Sequence, residues 1–574
     1  MINRDAENTA QPKQLRLWPG IALGVLLLIF KIVIPMVLPD ALGIAMFGGL
    51  ILGIAVIIWW LFFSRAPFLD RFGALFLMVL TLIMVRPFLH KSIAEAGMGF
   101  LFPIMAIPIL CMVFVLWAVI SQRIPDNIKR LTMAVTIVLT VSSWTLIQTG
   151  GINNSGESDI SWRWSLTPEE LLLTQSAEES DENPMAVAVQ NSEIAWPGFR
   201  GANRDGIIHG TKIDTDWLAI PPVELWRQPV GPGWSSFAVL GDIFYTQEQR
   251  GKDEIVSCYN LTTGEMVWKH SDTIRFWESN AGAGPRGTPT ISGDRIYTLG
   301  ATGILNVLDI NGNSVVWSRN VATDTSTEVP IWGVSSSPLI FEDMVIAATA
   351  GSLIAYDKDT GETRWSIPAG GDCYSSPHLL EIDGVDQILL QTDAGTISVR
   401  PADGVQLWQY LWKGHPIVQP IQISNSDILI SADDRNGIRR ISVTHKSGLW
   451  TVEELWASTG LKPYFNDSVV HNGFVYGFDG SSLACINVKD GTLNWQGGDY
   501  NRGQFILLAD QDVLLVISET GDLALVKAVP DQFLELGKIP GIEGKTWNHP
   551  VIARDILLVR NAQEMAAFRL SLID

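Results

Sequence analysis

The chain has 574 residues, of which 47% are hydrophobic, and its formal net charge is -20. This charge argues against nucleic-acid binding, because phosphate contacts require a basic face. The four cysteines form no CxxC or CxxCH motif, so neither zinc nor covalently attached haem is supported. A disulfide among Cys258, Cys373 and Cys485 stays open, although free buried thiols are the simpler interpretation.

Apolar residues are most frequent within the first 150 residues. Five stretches approach the roughly 20 residues that an α-helix needs to cross a bilayer. They are Leu17–Leu38, Ala41–Phe63, Phe72–Phe88, Met98–Ile120 and Leu131–Ile147. The sequence therefore predicts an integral membrane protein with a tail over residues 1–16 and a five-helix transmembrane domain over residues 17–147.

The lysines and arginines between these stretches predict the orientation, since basic loops stay in the cytoplasm. One side has eight of them: Arg4, Lys13, Arg16, Arg65, Arg71, Arg123, Lys129 and Arg130. The other side has only Arg86 and Lys91 before residue 150. We expect a cytoplasmic N-terminus and, after five crossings, everything beyond residue 150 outside. A cleaved signal peptide at the first stretch is the alternative, and the other four would still anchor the chain.

Lys31 is a charge within the first apolar stretch. It could have an intramembrane function, extend its amine to the membrane surface or face a neighbouring helix.

Residues 148–195 carry nine acidic residues and one basic residue, Arg163. A segment of this composition buries little apolar surface, so we expect a flexible acidic linker. Within it, Thr167, Pro168 and Glu170 predict the capped start of one short helix.

From residue 223 onward, a tight turn followed by a tryptophan recurs. Residues 260–268 read NLTTGEMVW, 309–317 DINGNSVVW, 357–365 DKDTGETRW, 400–408 RPADGVQLW and 487–495 NVKDGTLNW. The fourth residue before each tryptophan is glycine or asparagine, which are the residues that hairpin turns with positive φ prefer.

The repeating tryptophans are Trp226, Trp268, Trp317, Trp365, Trp408, Trp456 and Trp495. A period of 40–50 residues with about four short strands is typical of β-propeller blades. Residues 196–574 are therefore predicted to form an eight-bladed propeller. Its blades are 235–270, 287–320, 335–370, 375–410, 417–458, 465–498, 502–541 and 546–571. The last has three strands, and Val223–Val230 can supply the fourth and close the ring. We expect the tryptophans to pack between blades.

These repeats resemble the pyrroloquinoline-quinone (PQQ)-type propeller family. The resemblance covers about residues 196–571. Besides the turns, it includes WPGFRGANRDG at 196–206, GWSSF at 233–237, GPRGTPT at 284–290, WGVSSSP at 332–338 and YSSP at 374–377. The family contains quinoprotein dehydrogenases, which bind PQQ and calcium near the axis, and BamB-like proteins, which bind other proteins. The five predicted helices also resemble the layout of membrane-bound quinoprotein glucose dehydrogenase. The resemblance implies a bacterial inner-membrane protein with a periplasmic propeller.

The segments before the first strand of each blade should line one mouth of the central channel. Their polar and aromatic residues are candidates for ligand binding: Trp234, Arg286, Trp332, Tyr374, Tyr464, Asn466, Asp467, Arg502, Trp547 and His549. A quinone would need an aromatic floor, for which Trp234, Trp332 or Trp547 could serve. Calcium prefers oxygen ligands, and Glu278, Asn280 and Asp372 are the candidates.

Two functions compete. The leading hypothesis is a non-catalytic, membrane-tethered propeller that binds a protein or small ligand at its mouth. The alternative is a membrane-bound PQQ-dependent dehydrogenase that oxidises alcohols or sugars, for which the catalytic residues are unknown. The blades lack obvious long insertions to enclose a cofactor, which favours the first hypothesis. The predicted anchor and the aromatic mouth favour the second.

Overall fold

A computed structural model describes residues 15–37, 42–152, 158–176, 193–310, 314–431 and 435–573. The chain divides into two compact units. One comprises residues 1–165 with 279–281, and the other comprises residues 166–278 with 282–574.

The first unit is a helical bundle. Among the described residues, four helices are long and apolar enough to span a membrane: α1 (Trp18–Val37), α2 (Gly43–Phe63), α3 (Phe68–Phe88) and α4 (Leu101–Ile120). A one-turn helix, Lys91–Ala94, lies between α3 and α4. A fifth helix, α5 (Asp126–Ser142), continues into a 3-10 turn, Ser143–Leu146.

Four of the five predicted membrane spans are thus confirmed as helices that are long and apolar enough to cross a bilayer. Helix α5 begins with Asp126, Lys129 and Arg130 within its first two turns. The apolar part from Leu131 to Leu146 rises about 24 Å, which is less than the ~30 Å of a hydrocarbon core. The charged first turns therefore explain why the apolar part of α5 is too short to count as a membrane span.

Helix α5 nevertheless runs beside α3 from end to end. At its start, Arg130 Nε lies 2.7 Å from Asp70 Oδ1, in the first turn of α3. After its end, Arg163 donates to the Phe88 carbonyl at 3.1 Å, where α3 ends. The Thr149 N–H donates to Ser92 Oγ at 2.9 Å, close to the same end.

Lys31 faces neighbouring helices. Its Nζ lies 3.4 Å from Met105 Sδ of α4, and its aliphatic part packs on Gly49 of α2.

The predicted linker contains several ordered elements. Ile147–Ile152 pairs with Ser158–Trp162 in a hairpin. Helix α6 (Pro168–Ser176) follows the predicted capping box, in which Glu170 Oε2 accepts the Thr167 N–H at 2.7 Å. Helix α6 belongs to the second unit, where Glu169 pairs with Arg275 at 2.6 Å. The acidic run Glu178, Glu179, Asp181 and Glu182 lies outside the described residues.

The second unit is an eight-bladed propeller, as the repeats predicted. The first four blades consist of Ala238–Leu240, Ile243–Arg250, Asp253–Asn260 and Met266–Asp272; Thr290–Ser292, Arg295–Leu299, Ile304–Asp309 and Val315–Asn320; Leu339–Phe341, Met344–Thr349, Ser352–Asp357 and Thr363–Pro368; and His378–Ile382, Val385–Thr392, Gly395–Val399 and Gln406–Leu411.

Blades 5 to 8 complete the ring. They consist of Ile421–Gln422, Asp427–Ser431, Ile438–Lys446 and Leu449–Ser458; Val469–His471, Phe474–Asp479, Ser482–Asn487 and Leu493–Gly497; Gln504–Leu508, Val513–Ile517, Asp522–Lys527 and Glu535–Pro540; and Val551–Ala553, Ile556–Arg560, Glu564–Arg569 and Val223–Pro229. Val223–Pro229 pairs antiparallel with Glu564–Arg569, so the ring closes with the strand that the sequence indicated.

Five tryptophans on the outer strands reach the following blade. The indole N–H groups of Trp226, Trp317, Trp365, Trp456 and Trp495 donate to the carbonyls of Leu261, Lys358, Pro401, Val488 and Val529 at 2.7–3.0 Å. Four of these rings lie on the turn glycine of that blade, where a Cβ would come within 2.6–2.8 Å of the indole. Trp408 instead donates to Gln387 of its own blade, and Trp268 lies beside Tyr245 of its own blade.

The starts of the first strands are joined around the channel. Successive N–H groups of Ser236, Thr288, Ser337, Ser376 and Gln419 each donate to the side-chain oxygen of the next blade, at 2.7–3.1 Å. Ser236 Oγ also donates to the His549 carbonyl at 2.7 Å, which joins blade 1 to blade 8. These bonds explain why small hydroxyl residues recur at this point.

Blades 1 and 2 bury a carboxyl group between them. Glu254 is 6% exposed, and its Oε2 accepts the Ala301 N–H at 3.2 Å. Burial raises the pKa of Glu254 to about 7, and the charge of Asp272 acts in the same direction. The Ala301 N–H and the Arg286 guanidinium oppose this shift and do not cancel it.

Replacing the turn glycine of blade 3 tests the packing of tryptophan on glycine. Gly361→Ala should lower the free energy of unfolding by about 2–4 kcal/mol, because a Cβ would meet Trp317 at 2.7 Å and φ is +71°. Gly384→Ala is the matched control, with φ +75° and nothing within 4 Å. It should cost only about 1 kcal/mol. Denaturant titration of the full chain measures both, and equal losses would contradict the packing argument.

The buried carboxyl of Glu254 predicts a pH-dependent stability. Between about pH 4.3 and 7 the unfolded chain is ionised at this position while the folded chain keeps its proton, so stability falls as pH rises through this window. Glu254→Gln should therefore stabilise the protein by about 3 kcal/mol more at pH 8 than at pH 4. Denaturation curves at both pH values measure this difference. Glu265→Gln, at an exposed site on the same blade, should follow the wild type. If the free energy of unfolding changes with pH equally in Glu254→Gln and in the wild type, the raised pKa of Glu254 is refuted.

Candidate functional site

A chain segment crosses the channel below the mouth. This plug consists of residues 197–206. It follows strand Ile194–Trp196, which pairs with the first strand of blade 1. It is followed by strand Ile207–Ile208, which pairs with the first strand of blade 7. Between them, the Pro197 carbonyl accepts the Ile291 N–H of blade 2 at 2.7 Å. The residues at its turn, Ala202 and Asn203, are exposed.

Two arginines fasten the plug to distant blades. Arg200 donates to the Ser468 carbonyl of blade 6 at 3.0 Å. Arg204 donates to the Ser337 and Pro338 carbonyls, at the start of blade 3, at 2.9 and 3.0 Å. Both arginines have left-handed backbones, with φ +59° and +57°. Such a conformation is unfavourable for a residue with a Cβ, so these contacts must hold the plug in place.

The plug places its arginines beside His378 and Asp467, which are buried, and His549, which is half-buried; the three lie at or just before the first strands of blades 4, 6 and 8. This axial cluster consists of Arg200, Arg204, His378, Asp467 and His549. Asp467 Oδ2 lies 3.6 Å from both Arg200 Nε and His549 Nε2. Burial would raise the pKa of Asp467, but the guanidinium of Arg200 and the imidazole of His549 hold it below its usual range.

The two histidines of the axial cluster are neutral at pH 7. Burial and the two guanidinium charges lower the pKa of His378 to about 3. Burial also lowers the pKa of His549, although Asp467 partly opposes this.

An aromatic patch lies at the mouth, on the segments that enter blades 1, 6 and 8. It consists of Trp234, Tyr464, Phe465 and Trp547, all half-buried. The Trp547 ring lies 4.7 Å from that of Trp234 and 5.0 Å from that of Phe465, between ring centroids. Its indole N–H donates to Glu519 Oε1 at 2.7 Å, which fixes the plane of the ring.

Two cations lie over the patch. Lys545 Nζ is 4.4 Å from the centroid of Trp547 and 5.4 Å from that of Trp234. The guanidinium of Arg502 is 4.6 Å from the centroid of Tyr464. The patch therefore combines large apolar surface with positive charge on a chain that is acidic overall.

A second aromatic pair lies at the start of blades 3 and 4. The rings of Trp332 and Tyr374 are 4.9 Å apart. Arg286 holds the backbone of Trp332, because its Nε donates to the Trp332 carbonyl at 2.9 Å, and its Nη2 lies 3.5 Å from Glu278 Oε1. Burial raises the pKa of Tyr374 to about 12, so its phenol stays protonated at neutral pH.

The ten predicted mouth residues therefore divide among three places. Trp234, Tyr464, Arg502 and Trp547 meet in or over the patch, and Arg286, Trp332 and Tyr374 form the second group. Asn466, Asp467 and His549 lie deeper and are buried or nearly so, and Asn466 donates to the Gly503 carbonyl. Phe465, Lys545 and the plug arginines are not among the predicted mouth residues, although both arginines lie within WPGFRGANRDG.

The calcium candidates do not come together. Glu278 pairs with Arg286, whereas Asp372 lies exposed in the segment before blade 4. Asn280 follows Glu278 by two residues, within its hairpin. No group of three or more histidines, cysteines or acidic residues within the described ranges could hold one metal ion. Glu278 and Asp372 are therefore not part of a cluster of acidic ligands within the described ranges. The three tryptophans of the mouth, Trp234, Trp332 and Trp547, each pack against another aromatic ring.

All four cysteines are buried and none forms a disulfide, as the simpler interpretation held.

Comparison with known proteins gives matches to this part of the chain. Residues 252–417 match the family model described as outer membrane protein assembly factor BamB. BamB of Burkholderia pseudomallei (strain K96243) is 25% identical over 149 residues, which are 25% of this chain. The match spans only about a third, 36%, of that curated relative.

Among solved structures, quinohemoprotein alcohol dehydrogenase from Comamonas testosteroni has 12% identity and a TM-score of 0.50, over 70% of this chain and 84% of that one. BamB from Moraxella catarrhalis has 14% identity and a TM-score of 0.44, over 61% and 100% of the two chains. At such identities the likeness concerns the fold alone. The predicted resemblance is nevertheless confirmed by the family match, in which residues 252–417 are similar to BamB-like, PQQ-type repeats.

Proposed function

We propose that this protein is a membrane-anchored binding module whose propeller lies outside the cytoplasm and holds a protein partner at the aromatic patch. It is non-catalytic in this proposal. The observation that carries it is the patch itself, with four half-buried aromatic side chains at the mouth and two cations over them.

The course of α5 supports an extracytoplasmic propeller. Arg16 N–H donates to the Ser64 carbonyl, so the start of α1 lies at the same end of the bundle as the start of α3. Helix α5 starts at that end, beside Asp70, and the chain after it reaches Phe88 at the opposite end. If α3 crosses the membrane, the chain beyond α5 therefore emerges on the side opposite to the N-terminus. The excess of basic residues on the N-terminal side makes that side the cytoplasm.

The chemistry of the patch favours a protein ligand. Tryptophan and tyrosine are enriched among the residues that dominate protein interfaces, because they bury much surface at little cost in conformational entropy. The bond to Glu519 fixes the Trp547 ring before a partner arrives, which reduces the ordering that binding requires. The matched relative is named as an assembly factor of outer membrane proteins, and a role in binding other proteins agrees with this patch.

Reporter fusions to the full chain test the orientation. Alkaline phosphatase, which is active only outside the cytoplasm, should be active after residue 574 and inactive before residue 1. Green fluorescent protein should show the reverse pattern. Phosphatase activity at both ends or at neither would contradict five crossings.

Site-specific photo-crosslinking tests the patch. A photoreactive amino acid in place of exposed Glu543, two residues before Lys545, should yield an adduct with one protein. The same photoreactive group in place of Lys446, at the end of blade 5 that lies away from the mouth, should yield no adduct. Trp547→Ala should reduce the adduct more than tenfold, since a central aromatic residue contributes about 2 kcal/mol or more. Trp450→Ala, a half-buried tryptophan near Lys446, should leave it unchanged.

Two results would overturn the proposal. One is equal adduct yield from both positions, or from the Trp547→Ala and Trp450→Ala chains. The other is stoichiometric uptake of PQQ with calcium by the purified protein, together with alcohol- or sugar-dependent dye reduction, which would establish the dehydrogenase.

A further inference from the structure

The axial cluster carries an excess of buried positive charge. Arg200 is 2% exposed and Arg204 is 9% exposed. The terminal nitrogens of Arg204 donate to the Ser337 and Pro338 carbonyls. Carbonyl groups satisfy these N–H groups but carry no net charge, so both guanidinium charges persist.

One buried carboxylate faces these two cations. Asp467 lies 3.6 Å from Arg200 Nε, and its other oxygen accepts the Gln419 N–H at 2.7 Å. Arg204 has no carboxylate within ion-pair distance in the described part of the chain. Asp205, the other acidic residue of the plug, is half-buried, and its Oδ1 accepts the Ile207 N–H. With the histidines neutral, two positive charges against Asp467 leave one positive charge inside the channel.

The same place holds buried polar atoms without a hydrogen-bond partner. They are Arg200 Nε, Arg204 Nε, His378 Nδ1, His549 Nε2 and Ser468 Oγ. His378 is 4% exposed and interacts electrostatically with Arg204, Arg200 and Asp467. A buried donor left unpaired costs about 1–3 kcal/mol, and a buried unpaired charge costs more. Several such atoms in one cluster indicate a bound group that supplies acceptors and negative charge.

We propose that the axial cluster binds one small monovalent anion of chloride size, held by Arg204 Nε and the imidazole of His378. One negative charge neutralises the excess, and a small anion accepts hydrogen bonds from both donors. The Asp467 carboxylate keeps the anion on the Arg204 side of the cluster. Arg200 Nε and His549 Nε2 face Asp467 Oδ2 instead, each at 3.6 Å.

Thermal unfolding of the full chain in detergent tests this site. At equal ionic strength and pH, chloride and bromide should raise the Tm of the propeller above its value in gluconate, a much larger anion. The expected shift is about 3 °C at a hundredfold excess over the dissociation constant. Arg204→Met should abolish the difference between chloride and gluconate. Arg400→Met, at an exposed arginine on blade 4, should preserve it.

Bromide in crystals of the wild-type chain gives a second readout that does not depend on a variant folding. An anomalous bromide peak beside Arg204 and His378 would establish the site. The absence of that peak would refute the proposal, whatever the Tm series shows. An equal chloride effect in Arg204→Met and wild type would also refute it, because the anion would then act elsewhere.

Discussion

The contact between an indole ring and the turn glycine of the next blade is the interaction on which the propeller depends. Four tryptophans lie within van der Waals distance of such a glycine, and five donate their N–H to the next blade. Each contact joins two sheets that share no strand. Because one outer strand and one turn recur in each repeat, the same local geometry sets the angle between successive blades. The hydrogen bonds that run from blade 8 through blade 1 to blade 6 then fix the starts of the first strands.

The repeating parts of this arrangement could be predicted from sequence because they are local. A glycine four residues before a tryptophan fixes a hairpin, and its spacing fixes the blade. Even the closing strand was predictable, since Trp226 stands in the same frame as the others. The repeat is less regular at blade 5. Its third and fourth strands, Ile438–Lys446 and Leu449–Ser458, form a longer hairpin, and Trp408 finds its acceptor within blade 4.

The plug could not be predicted in the same way. Arg200 and Arg204 find their acceptors 268 and 134 residues away along the chain, on blades that no local pattern connects to them. The mouth was half predictable. Its segments were identified from their position before each first strand, but which aromatic side chains meet depends on how eight loops converge. The fifth helix is not confirmed as a membrane span, because its charged first turns shorten the apolar part, although its contacts extend along α3.

The closing strand also sets a condition on how the protein is made. Val223–Pro229 belongs to the first part of the propeller to leave the ribosome, and Glu564–Arg569 to the last. Throughout synthesis of the intervening residues, both edges of the growing ring keep unpaired N–H and C=O groups, which are templates for aggregation. A chain that stops before residue 564 can never close. Selection should therefore act on Glu564–Arg569 through the survival of the nascent protein, independently of any ligand at the mouth.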